Sequence, residues 1–487
     1  MEINVRKPPA GSHLPHPSHP AATKLACVMV GLPARGKTYV ARKIARYLAW
    51  LGHHSRIFNV GNYRRNAVGA VQMHDFFDPT HPENAALRKE VADRALEDML
   101  QWFERAGDSP ATGAVMTKDS PMTPITPRPR SDSLSLSGAG KAGPGWVALY
   151  DATNSTTERR QNIYDKCLER GVQVMFVESV CDREDIIVAN IKEVKLSSPD
   201  YAGMDADAAV EDFSRRISQY AKYYETLTPT ECQGDIPFVK VVNVGDQIIV
   251  NKVKGYLQSR IVYFLMNLNI TPKSFFFTRH GESMFNVQGK IGGDANLSPQ
   301  GHTFATKLPE LLAANLGPET RLTVWTSTLK RTMQTAAYLA WPQLQWKQLD
   351  ELDSGVCDQL TYEEIEEKFP ADFSERDQDK FNYRYHGGES YRDLVQRLEP
   401  VIMELERHHE PNHAILIVGH QAVLRAIYAY FLNYSLEELP YVKIPLHAVV
   451  KLTPKAYGCM EERYTVDVPA VDTHRSMPHP ALNSRAN

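Results

Sequence analysis

Long apolar runs, paired cysteines and a large net charge are all missing from this sequence. No stretch approaches the roughly 18 consecutive apolar residues that a membrane-spanning helix needs. The 6 cysteines are scattered without a CxxC pair, which favours free thiols in a reducing compartment. A formal net charge of -3 creates no global field that would attract nucleic acid or an anionic membrane. We therefore expect a cytoplasmic protein that binds neither.

Strand-like and helix-like segments alternate along most of the 487 residues, which is typical of α/β domains with parallel sheets. A second series begins near residue 272, so we expect two domains. We predict strands at 25–30, 55–60, 146–150, 172–177, 239–242, 275–277, 322–325 and 414–418, and helices at 39–51, 84–105 and 251–268. The predicted organisation is a disordered tail without a signal peptide at 1–22, a first domain at 23–250, a linker helix at 251–272, a second domain at 273–470 and a disordered tail at 471–487.

One segment of the first domain breaks this alternation. Residues 107–145 are rich in Ser, Thr, Pro and Gly and are too many for an ordinary loop, so we predict a disordered insertion. The segment contains Ser-Pro or Thr-Pro pairs that begin at positions 109, 120, 123 and 126. Phosphorylation of these sites by protein kinases is one hypothesis, and an unmodified surface loop is the alternative.

The first domain carries a phosphate-loop pattern. Residues 31–38 fit Gly-x-x-x-x-Gly-Lys-Thr and lie between an apolar strand and a helix. Backbone N–H groups of such a loop point at phosphate oxygens, and the helix N-terminus adds a positive dipole. We expect Lys37 to reach the β- and γ-phosphates of ATP and the Thr38 hydroxyl to bind Mg²⁺.

Other groups of the first domain would complete a site for phosphoryl transfer. The strand at 146–150 ends in Asp151, a carboxylate in the position expected near the metal. Arginines and lysines gather elsewhere in this half, and an acceptor with its own phosphate would need several of them together. For each of them alone, a solvated face is the simpler interpretation. Cys181 follows another strand, and a buried apolar thiol is its simpler interpretation.

The second domain has two histidines that each follow an apolar strand, His280 within an Arg-His-Gly-Glu sequence and His420 further on. An imidazole attacks phosphorus well and leaves well, so His280 is the candidate nucleophile. Arg279, Arg331 and His420 could hold the oxygens of the transferring group. Glu351 is the candidate acid for the leaving oxygen. This combination predicts a phosphohydrolase or mutase.

Taken in order, these motifs resemble those of the bifunctional 6-phosphofructo-2-kinase/fructose-2,6-bisphosphatase family over about residues 24–465. The segments that carry the resemblance are 31–39, 58–61, 63–65, 151–154, 178–181, 198–201, 258–260, 279–282, 355–357, 396–400 and 419–425. The resemblance implies an α/β chain, with an adenylate-kinase-like phosphate-loop domain followed by a phosphoglycerate-mutase-like histidine phosphatase domain. It implies synthesis of fructose 2,6-bisphosphate from ATP and fructose 6-phosphate, and its hydrolysis through phosphohistidine. Control of glycolytic flux and a homodimer are implied as well.

The resemblance also assigns site residues. Lys37, Asp151 and Cys181 fall at kinase active-site positions, His280 at the phosphorylated position and Glu351 at that of the general acid. The nucleotide contacts match Gly31, Leu32, Pro33, Ala34, Arg35, Gly36, Lys37, Thr38, Tyr39, Asn190, Lys192, Lys195 and Tyr457, with Mg²⁺ at Thr38 and Asp151. The contacts to fructose 6-phosphate match Arg64, Arg88, Thr153, Arg159, Lys195, Arg216 and Tyr220. The contacts to fructose 2,6-bisphosphate match Arg279, Asn286, Ile291, Gly292, Arg331, Tyr362, Arg376, Lys380, Tyr391, His420, Gln421 and Arg425.

Two other interpretations stay open. The chain could be a kinase with a residual phosphatase domain, or the reverse, although every recognised catalytic position is present in both halves. It could instead be a metabolic sensor or scaffold that recruits partners through residues 107–145. A scaffold predicts partner binding that survives the loss of both activities.

Overall fold

The structure is a computed structural model, and it describes residues 23–69, 72–78, 80–105, 144–192, 199–201, 204–455 and 458–478. The predicted tail at 1–22, residues 107–143 of the predicted insertion, and the predicted site residues Lys195 and Tyr457 lie outside this described part. Among the helices that it contains, none combines the length and the apolar character that crossing a bilayer requires.

The N-terminal half alternates strands and helices, as the sequence predicts. Its elements are β1 (Lys24–Val30), α1 (Lys37–Trp50), β2 (His54–Asn59), α2 (Val60–Val68), α3 (Pro82–Arg105), β3 (Trp146–Asp151), α4 (Thr157–Glu169), β4 (Gln173–Val180), α5 (Glu184–Asn190), α6 (Ala206–Ala221), β5 (Phe238–Val242), β6 (Gln247–Asn251) and α7 (Tyr256–Met266). The strand order is β2-β3-β1-β4-β5-β6, and only β6 in this sheet runs antiparallel to its neighbour. Strand β1 is apolar and buried from Leu25 to Val30 because helices cover both faces of a parallel sheet.

The C-terminal half forms a second sheet. Its elements are β7 (Phe275–Arg279), α8 (Met284–Val287), α9 (Pro299–Asn315), β8 (Arg321–Thr326), α10 (Lys330–Ala336), β9 (Gln343–Gln345), α11 (Tyr362–Lys368), α12 (Pro370–Gln378), α13 (Tyr391–Arg407), β10 (His413–Gly419), α14 (Gln421–Leu432), β11 (Ala448–Lys455) and β12 (Gly458–Thr465). The strand order is β12-β11-β7-β10-β8-β9. Strands β7, β10, β8 and β9 are parallel, while β11 and β12 form an antiparallel edge.

The helix predicted between the two halves is shorter in the structure. Residues 247–251 form β6 on the edge of the first sheet, and α7 begins only at Tyr256. The backbone between them is not helical, since Lys252 has a φ of 48° and Gly255, the N-cap of α7, is extended. An exposed edge strand gives little sequence signal, because few of its side chains are buried.

Helix α1 packs against both halves of the chain. Its Tyr47 ring stacks on Phe264 of α7 with 4.6 Å between centroids. Its Trp50 Nε1 donates to the Ala426 carbonyl oxygen of α14 at 2.9 Å. Buried side chains of α1, α7, α13 and α14 belong to one continuous apolar core that also reaches β1 and β7.

A buried carboxylate, Glu406 of α13, adds a charged contact to this interface. Lys43 Nζ donates to its two oxygens at 2.8 and 2.9 Å, Arg46 Nη2 at 3.0 Å and the Tyr430 hydroxyl at 2.6 Å. Burial opposes ionisation of Glu406, but the charges of Lys43, Arg46 and Lys273 outweigh burial and lower its pKa to about 2. Burial also lowers the pKa of Lys43 to about 8, so this lysine is still charged at neutral pH.

Glu406→Gln should destabilise the protein by about 3 kcal/mol at neutral pH, because Lys43 and Arg46 would be left buried without their carboxylate. The pKa of Glu406 is about 2 in the folded protein against an ordinary value of 4.5. Its stabilising contribution is therefore complete above the ordinary value and is lost as the pH falls toward the folded value. The difference in urea unfolding midpoint between wild type and variant should therefore be smaller at about pH 4 than at about pH 7.

Glu410→Gln is the matched control for this substitution. Glu410 is exposed and pairs with Arg321 at 3.2 Å, so its loss should change stability by less than about 1 kcal/mol. Two results would contradict the assignment of Glu406 as an ionised buried partner. One is a Glu406→Gln protein as stable as wild type, and the other is a difference in unfolding midpoint between the two proteins that is larger in acid.

Candidate active sites

The first candidate site begins where β1 ends. Gly31 has a φ of 135°, and a Cβ at this position would lie 2.4 Å from the Ser179 carbonyl oxygen, so only glycine fits. Gly36 is the N-cap of α1 with a φ of 80°. The next residue, Lys37, donates from Nζ to the Leu32 carbonyl oxygen at 2.6 Å. The loop thus brings backbone N–H groups and a lysine to a helix N-terminus, an arrangement that binds phosphates.

Side-chain oxygens that suit a cation as ligands lie close together beside this loop. The Thr38 hydroxyl donates to Asp151 Oδ2 at 2.8 Å. Asn59 lies opposite Asp151 in the pairing of β2 with β3, and its amide also donates to this carboxylate. Hydroxyl and carboxylate oxygens are ligands that suit Mg²⁺, so Thr38 and Asp151 fit the ion expected with ATP. Asn59 belongs to a motif segment in the sequence, but no pattern there indicates its contact with Asp151.

Three arginines converge on the carboxylate of Asp200. Its oxygens lie 2.7 Å from Arg64 Nη2, 3.6 Å from Arg216 Nη1 and 3.5 Å from Arg65 Nη1. The Arg216 guanidinium also lies over the Phe77 ring at 3.6 Å. Arg64 Nη1 and Arg216 Nε are buried and have no hydrogen-bond partner within the part of the chain that the structure describes. Because unpaired buried donors are costly, the cluster suits an anionic ligand such as a phosphate.

One cavity of about 1870 Å³ connects the phosphate loop with this arginine cluster. The predicted kinase residues that line the cavity are Pro33, Ala34, Arg35, Gly36, Lys37, Thr38, Tyr39, Arg64, Arg88, Asp151, Thr153, Arg159, Cys181, Asn190, Arg216 and Tyr220. Gly31, Leu32 and Lys192 do not line it. The Cys181 thiol, which lines this cavity, lies 3.8 Å from the Arg183 carbonyl oxygen, and its catalytic role stays a prediction.

The second candidate site lies at the carboxyl ends of β7 and β10. These strands pair in parallel with Gly419 opposite Arg279. His280 and His420, which follow their strands, therefore lie together with ring centroids 5.2 Å apart. The backbone N–H of His280 donates to the Gly419 carbonyl oxygen at 3.0 Å. Both imidazoles are buried, with 3% and 0% of their surface exposed.

The hydrogen bonds of the two histidines fix which nitrogen carries the proton. His280 Nδ1 lies 2.7 Å from the Gly281 carbonyl oxygen, which can only accept, so His280 Nε2 keeps a lone pair for attack. Arg331 Nε donates to His420 Nδ1 at 3.2 Å, so His420 Nε2 carries the proton and donates to Ser327 Oγ at 2.7 Å. Burial and then the neighbouring guanidinium groups lower the pKa of both histidines well below 6.5. A neutral imidazole is the form that acts as a nucleophile.

Two arginines and one carboxyl group surround this histidine pair. Arg331 Nη1 donates to the Gly293 carbonyl oxygen at 2.6 Å. Arg279 Nε is buried and finds no partner among the described residues, which leaves a donor for a phosphate oxygen. Burial lowers the pKa of Arg279 to about 9, and the Glu351 charge opposes this shift. Glu351 itself accepts from the Ala422 N–H at the start of α14 at 3.2 Å.

Further cations and tyrosines form the rest of the predicted sugar-phosphate pocket. Arg376 Nη2 donates to the Tyr362 hydroxyl at 3.2 Å, and Arg425 Nη1 donates to the Tyr391 hydroxyl at 3.2 Å. Burial and then the nearby arginines lower the pKa of Lys380 to about 6. A concentration of buried arginines around few carboxylates, as with Arg376 and Arg425, is what an anionic substrate requires.

Three other predicted residues of this half lie between β7 and α9. Asn286 closes a capping box with Ser283 at the start of α8. Ile291 donates from its backbone N–H to the Leu360 carbonyl oxygen at 3.0 Å. Gly292 has a φ of 68°, and a Cβ there would lie 1.8 Å from the Asp358 carboxylate, so this turn requires glycine.

Several groups that position the second site are absent from the sequence predictions. Glu282 accepts from Ser298 Oγ at 2.6 Å, and its N–H donates to His447 Nε2 at 3.0 Å. Thr335 Oγ1 accepts from the Gly281 N–H at 2.8 Å. The Glu follows the Arg-His-Gly motif, but His447, Ser298 and Thr335 belong to no pattern, because their contacts join distant parts of the chain.

Residues 471–478 correct one expectation. The sequence assigns them to a disordered tail, but the structure describes residues 471–475 in contact with the second site. Thr473 Oγ1 accepts from Arg279 Nη1 at 2.8 Å, and the Val471 N–H donates to Glu282 Oε2 at 2.9 Å. Polar contacts rather than apolar burial hold residues 471–475 in this position, and they are the part of the predicted tail for which the structure differs from the expectation. Residues 479–487 lie outside the described part.

Comparison with protein families divides the chain in the same way. Residues 16–111 and 141–272 match the family model of 6-phosphofructo-2-kinase, and residues 275–467 match that of the histidine phosphatase superfamily (branch 1). These matches cover both strand-end sites described above.

Three similar proteins span nearly the whole chain. Identity is 46% over 451 residues to "6-phosphofructo-2-kinase/fructose-2,6-bisphosphatase 4" of Macaca fascicularis, covering 93% of this chain and 87% of that protein. It is 46% over 453 residues to "Fructose-2,6-bisphosphatase" of Saccharomyces cerevisiae, covering 93% and 91%. It is 45% over 448 residues to "6-phosphofructo-2-kinase/fructose-2,6-bisphosphatase 3" of Homo sapiens, covering 92% and 78%.

A phosphate-loop kinase domain followed by a histidine phosphatase domain defines a two-domain α/β enzyme, which confirms the predicted fold class. The kinase domain implies the use of ATP. With relatives of this identity over nine-tenths of its length, the chain belongs to the 6-phosphofructo-2-kinase/fructose-2,6-bisphosphatase family.

Proposed function

We propose that this protein makes fructose 2,6-bisphosphate from ATP and fructose 6-phosphate in its first domain and hydrolyses it in its second, and so controls flux through glycolysis. The observation that carries the proposal is that the catalytic groups of both sites are in place. Thr38 and Asp151 meet beside the phosphate loop, and His280 lies beside His420 with an available Nε2. The proposed domains are residues 23–250 and 273–470, joined by 251–272.

In the proposed kinase reaction, the 2-hydroxyl oxygen of fructose 6-phosphate attacks the γ-phosphorus of ATP, the bond from that phosphorus to ADP breaks, and the hydroxyl proton is released to water. Lys37 stabilises the charge on the transferring group from the start of α1. The unpaired donors of Arg64 and Arg216 bind the 6-phosphate of the acceptor. Mg²⁺, held with the nucleotide by Thr38 and Asp151, supplies charge neutralisation of the phosphates when bound.

In the proposed phosphatase reaction, His280 Nε2 attacks the C2 phosphate, and the bond between that phosphorus and the sugar oxygen breaks. Glu351 donates a proton to the leaving oxygen, which frees fructose 6-phosphate. Water then attacks the phosphorus of phosphohistidine while the Glu351 carboxylate accepts a proton from the water, and the bond between phosphorus and His280 Nε2 breaks to release phosphate and the neutral imidazole. Arg279 and Arg331 donate to the phosphate oxygens in both steps, and His420, oriented by Arg331 and Ser327, packs beside the nucleophile.

A second candidate is a phosphatase whose kinase half is idle. The observation in its favour is that the Saccharomyces cerevisiae relative, as similar to this chain as the bifunctional ones, is named for the phosphatase activity alone. Thr38 and Asp151 are both present and hydrogen-bonded beside the phosphate loop, which favours the bifunctional assignment.

Further proposals rest on the family resemblance. They are a homodimer in the cytoplasm, small-molecule substrates, contacts from Lys192, Lys195 and Tyr457 to the nucleotide, and protein kinases that act on residues 107–145.

Incubation of the protein with γ-labelled ATP, Mg²⁺ and fructose 6-phosphate tests the proposal. We expect label first in an acid-labile sugar bisphosphate and then in an acid-labile, alkali-stable phosphoprotein and free phosphate. Label that stays in the sugar would show an idle phosphatase half. No transfer to the sugar, together with hydrolysis of supplied bisphosphate, would show an idle kinase half.

A further inference from the structure

The segment of residues 471–475 lies across the phosphatase pocket. Besides the contacts of Val471 and Thr473 described above, Gln421 Nε2 lies 3.5 Å from the Thr473 carbonyl oxygen. Lys443 pairs with Asp472 at 3.4 Å on the exposed side. These contacts hold the segment close to groups expected to bind the substrate, and they fix where its next residues point.

Arg475 joins the cationic end of this pocket. Its Nη2 lies 2.7 Å from Asp377 Oδ2, and the other oxygen of the same carboxylate lies 3.0 Å from Arg376 Nη1. The guanidinium groups of Arg475 and Arg376 lie 5.2 and 5.0 Å from the centre of the Tyr362 ring. Arg475 is thus built into the same cluster as Arg376, with Asp377 bridging the two.

This cluster holds more positive charge than its carboxylate balances. Arg376 and Arg475 share Asp377, and the charges of Arg376, Arg425 and Arg475 add to burial in lowering the pKa of Lys380 to about 6. Arg475 Nη1 and His474 Nδ1 are buried without a hydrogen-bond partner within the described residues. Unpaired donors in a cationic pocket favour the binding of an anion. A phosphate group suits the planar set of N–H donors of an arginine.

We propose that Arg475 binds the phosphate of the substrate that is not removed, and that residues 471–475 are therefore a wall of the phosphatase pocket. The inference rests on the proposed function, since it takes the 6-phosphate of fructose 2,6-bisphosphate as the ligand. The pocket for this phosphate is then shared between α12, which carries Arg376, and a segment beyond the last strand of the sheet. Thr473 leaves Arg279 Nε available for the phosphate that reacts.

The test compares two substrates in the full-length protein, fructose 2,6-bisphosphate and fructose 2-phosphate, which lacks the 6-phosphate. Arg475→Ala should raise KM for the bisphosphate by about 10- to 100-fold, which is the loss of affinity expected when a hydrogen bond between charged groups is removed. Its kcat should change little, because the 6-phosphate is bound equally before and during reaction. Kinetics with fructose 2-phosphate should be unchanged, and Arg475→Lys should give an intermediate KM for the bisphosphate.

Lys443→Ala is the matched control, because it removes an exposed cation that pairs with Asp472 of the segment on its outer side. A chain that ends at Ala470 should raise KM for the bisphosphate at least as much as Arg475→Ala. Equal effects of Arg475→Ala on both substrates, or faster hydrolysis by the shortened chain, would overturn the proposal and identify the segment as a barrier to entry. Wild-type protein that fails to hydrolyse the bisphosphate would instead overturn the proposed function.

Discussion

Replacing His280 with alanine should lower kcat for hydrolysis of fructose 2,6-bisphosphate by at least about 10⁴-fold. The substitution removes the Nε2 lone pair that forms the bond to phosphorus, and the nearby His420 offers no replacement, because its Nδ1 accepts from Arg331 and its Nε2 carries a proton. The labelled phosphoprotein should disappear together with the activity. Release of labelled phosphate from the bisphosphate measures the first effect, and alkaline trapping of protein-bound label measures the second.

The kinase activity of the same variant should stay within about twofold of wild type, because distant sites that share no residue act independently. His302→Ala is a suitable control, since His302 is an exposed histidine on α9 of the same domain. A His280→Ala protein that still accumulates acid-labile phosphoprotein would place the nucleophile elsewhere.

Replacing Lys37 with methionine should lower the kinase kcat by about 10³-fold and leave phosphatase activity intact. The lysine begins α1 and reaches back over the phosphate loop to the Leu32 carbonyl oxygen, so its ammonium group is positioned for the phosphates of ATP. Methionine keeps the length of the side chain and removes its charge. Formation of labelled fructose 2,6-bisphosphate from γ-labelled ATP measures the loss.

Lys252→Met is the control for this second prediction, because Lys252 is half exposed, contacts Asp235 at 3.6 Å and the Gly234 carbonyl oxygen, and does not line the cavity of the first site. If Lys37→Met abolished both activities in a folded protein, the assignment of two separate sites would be wrong. If it spared the kinase activity, the phosphate loop would not hold the transferring group.

The sequence predicted well those parts of the sites that follow from one rule of sheet geometry. Parallel strands end at the same edge, so Asp151 after β3 had to lie near the loop after β1, and His420 after β10 near His280 after β7. In each case a local pattern, an apolar strand followed by a reactive residue, placed the side chain without knowledge of the rest of the chain.

The contacts that the sequence did not predict join segments without such a pattern. Asp200 gathers Arg64 and Arg216 from two different helices, and Ser327 orients His420 from a loop after β8. Residues 471–478 have the polar composition of a disordered tail, yet Val471 and Thr473 make specific hydrogen bonds to Glu282 and Arg279. Composition indicates how much apolar surface a segment can bury, but it does not indicate hydrogen bonds to a distant site.

Because of where α1 packs, the segment between the two halves is not needed to hold them together in the folded protein. This helix starts at the phosphate loop, and its other end packs on α14, which starts next to His420. Because the apolar core and the Lys43–Glu406 pair hold the two halves together directly, a break in the backbone at 252–255 should leave them associated as a nicked complex. The covalent connection keeps the two halves close to each other while they fold, whereas side-chain contacts hold them together in the folded protein.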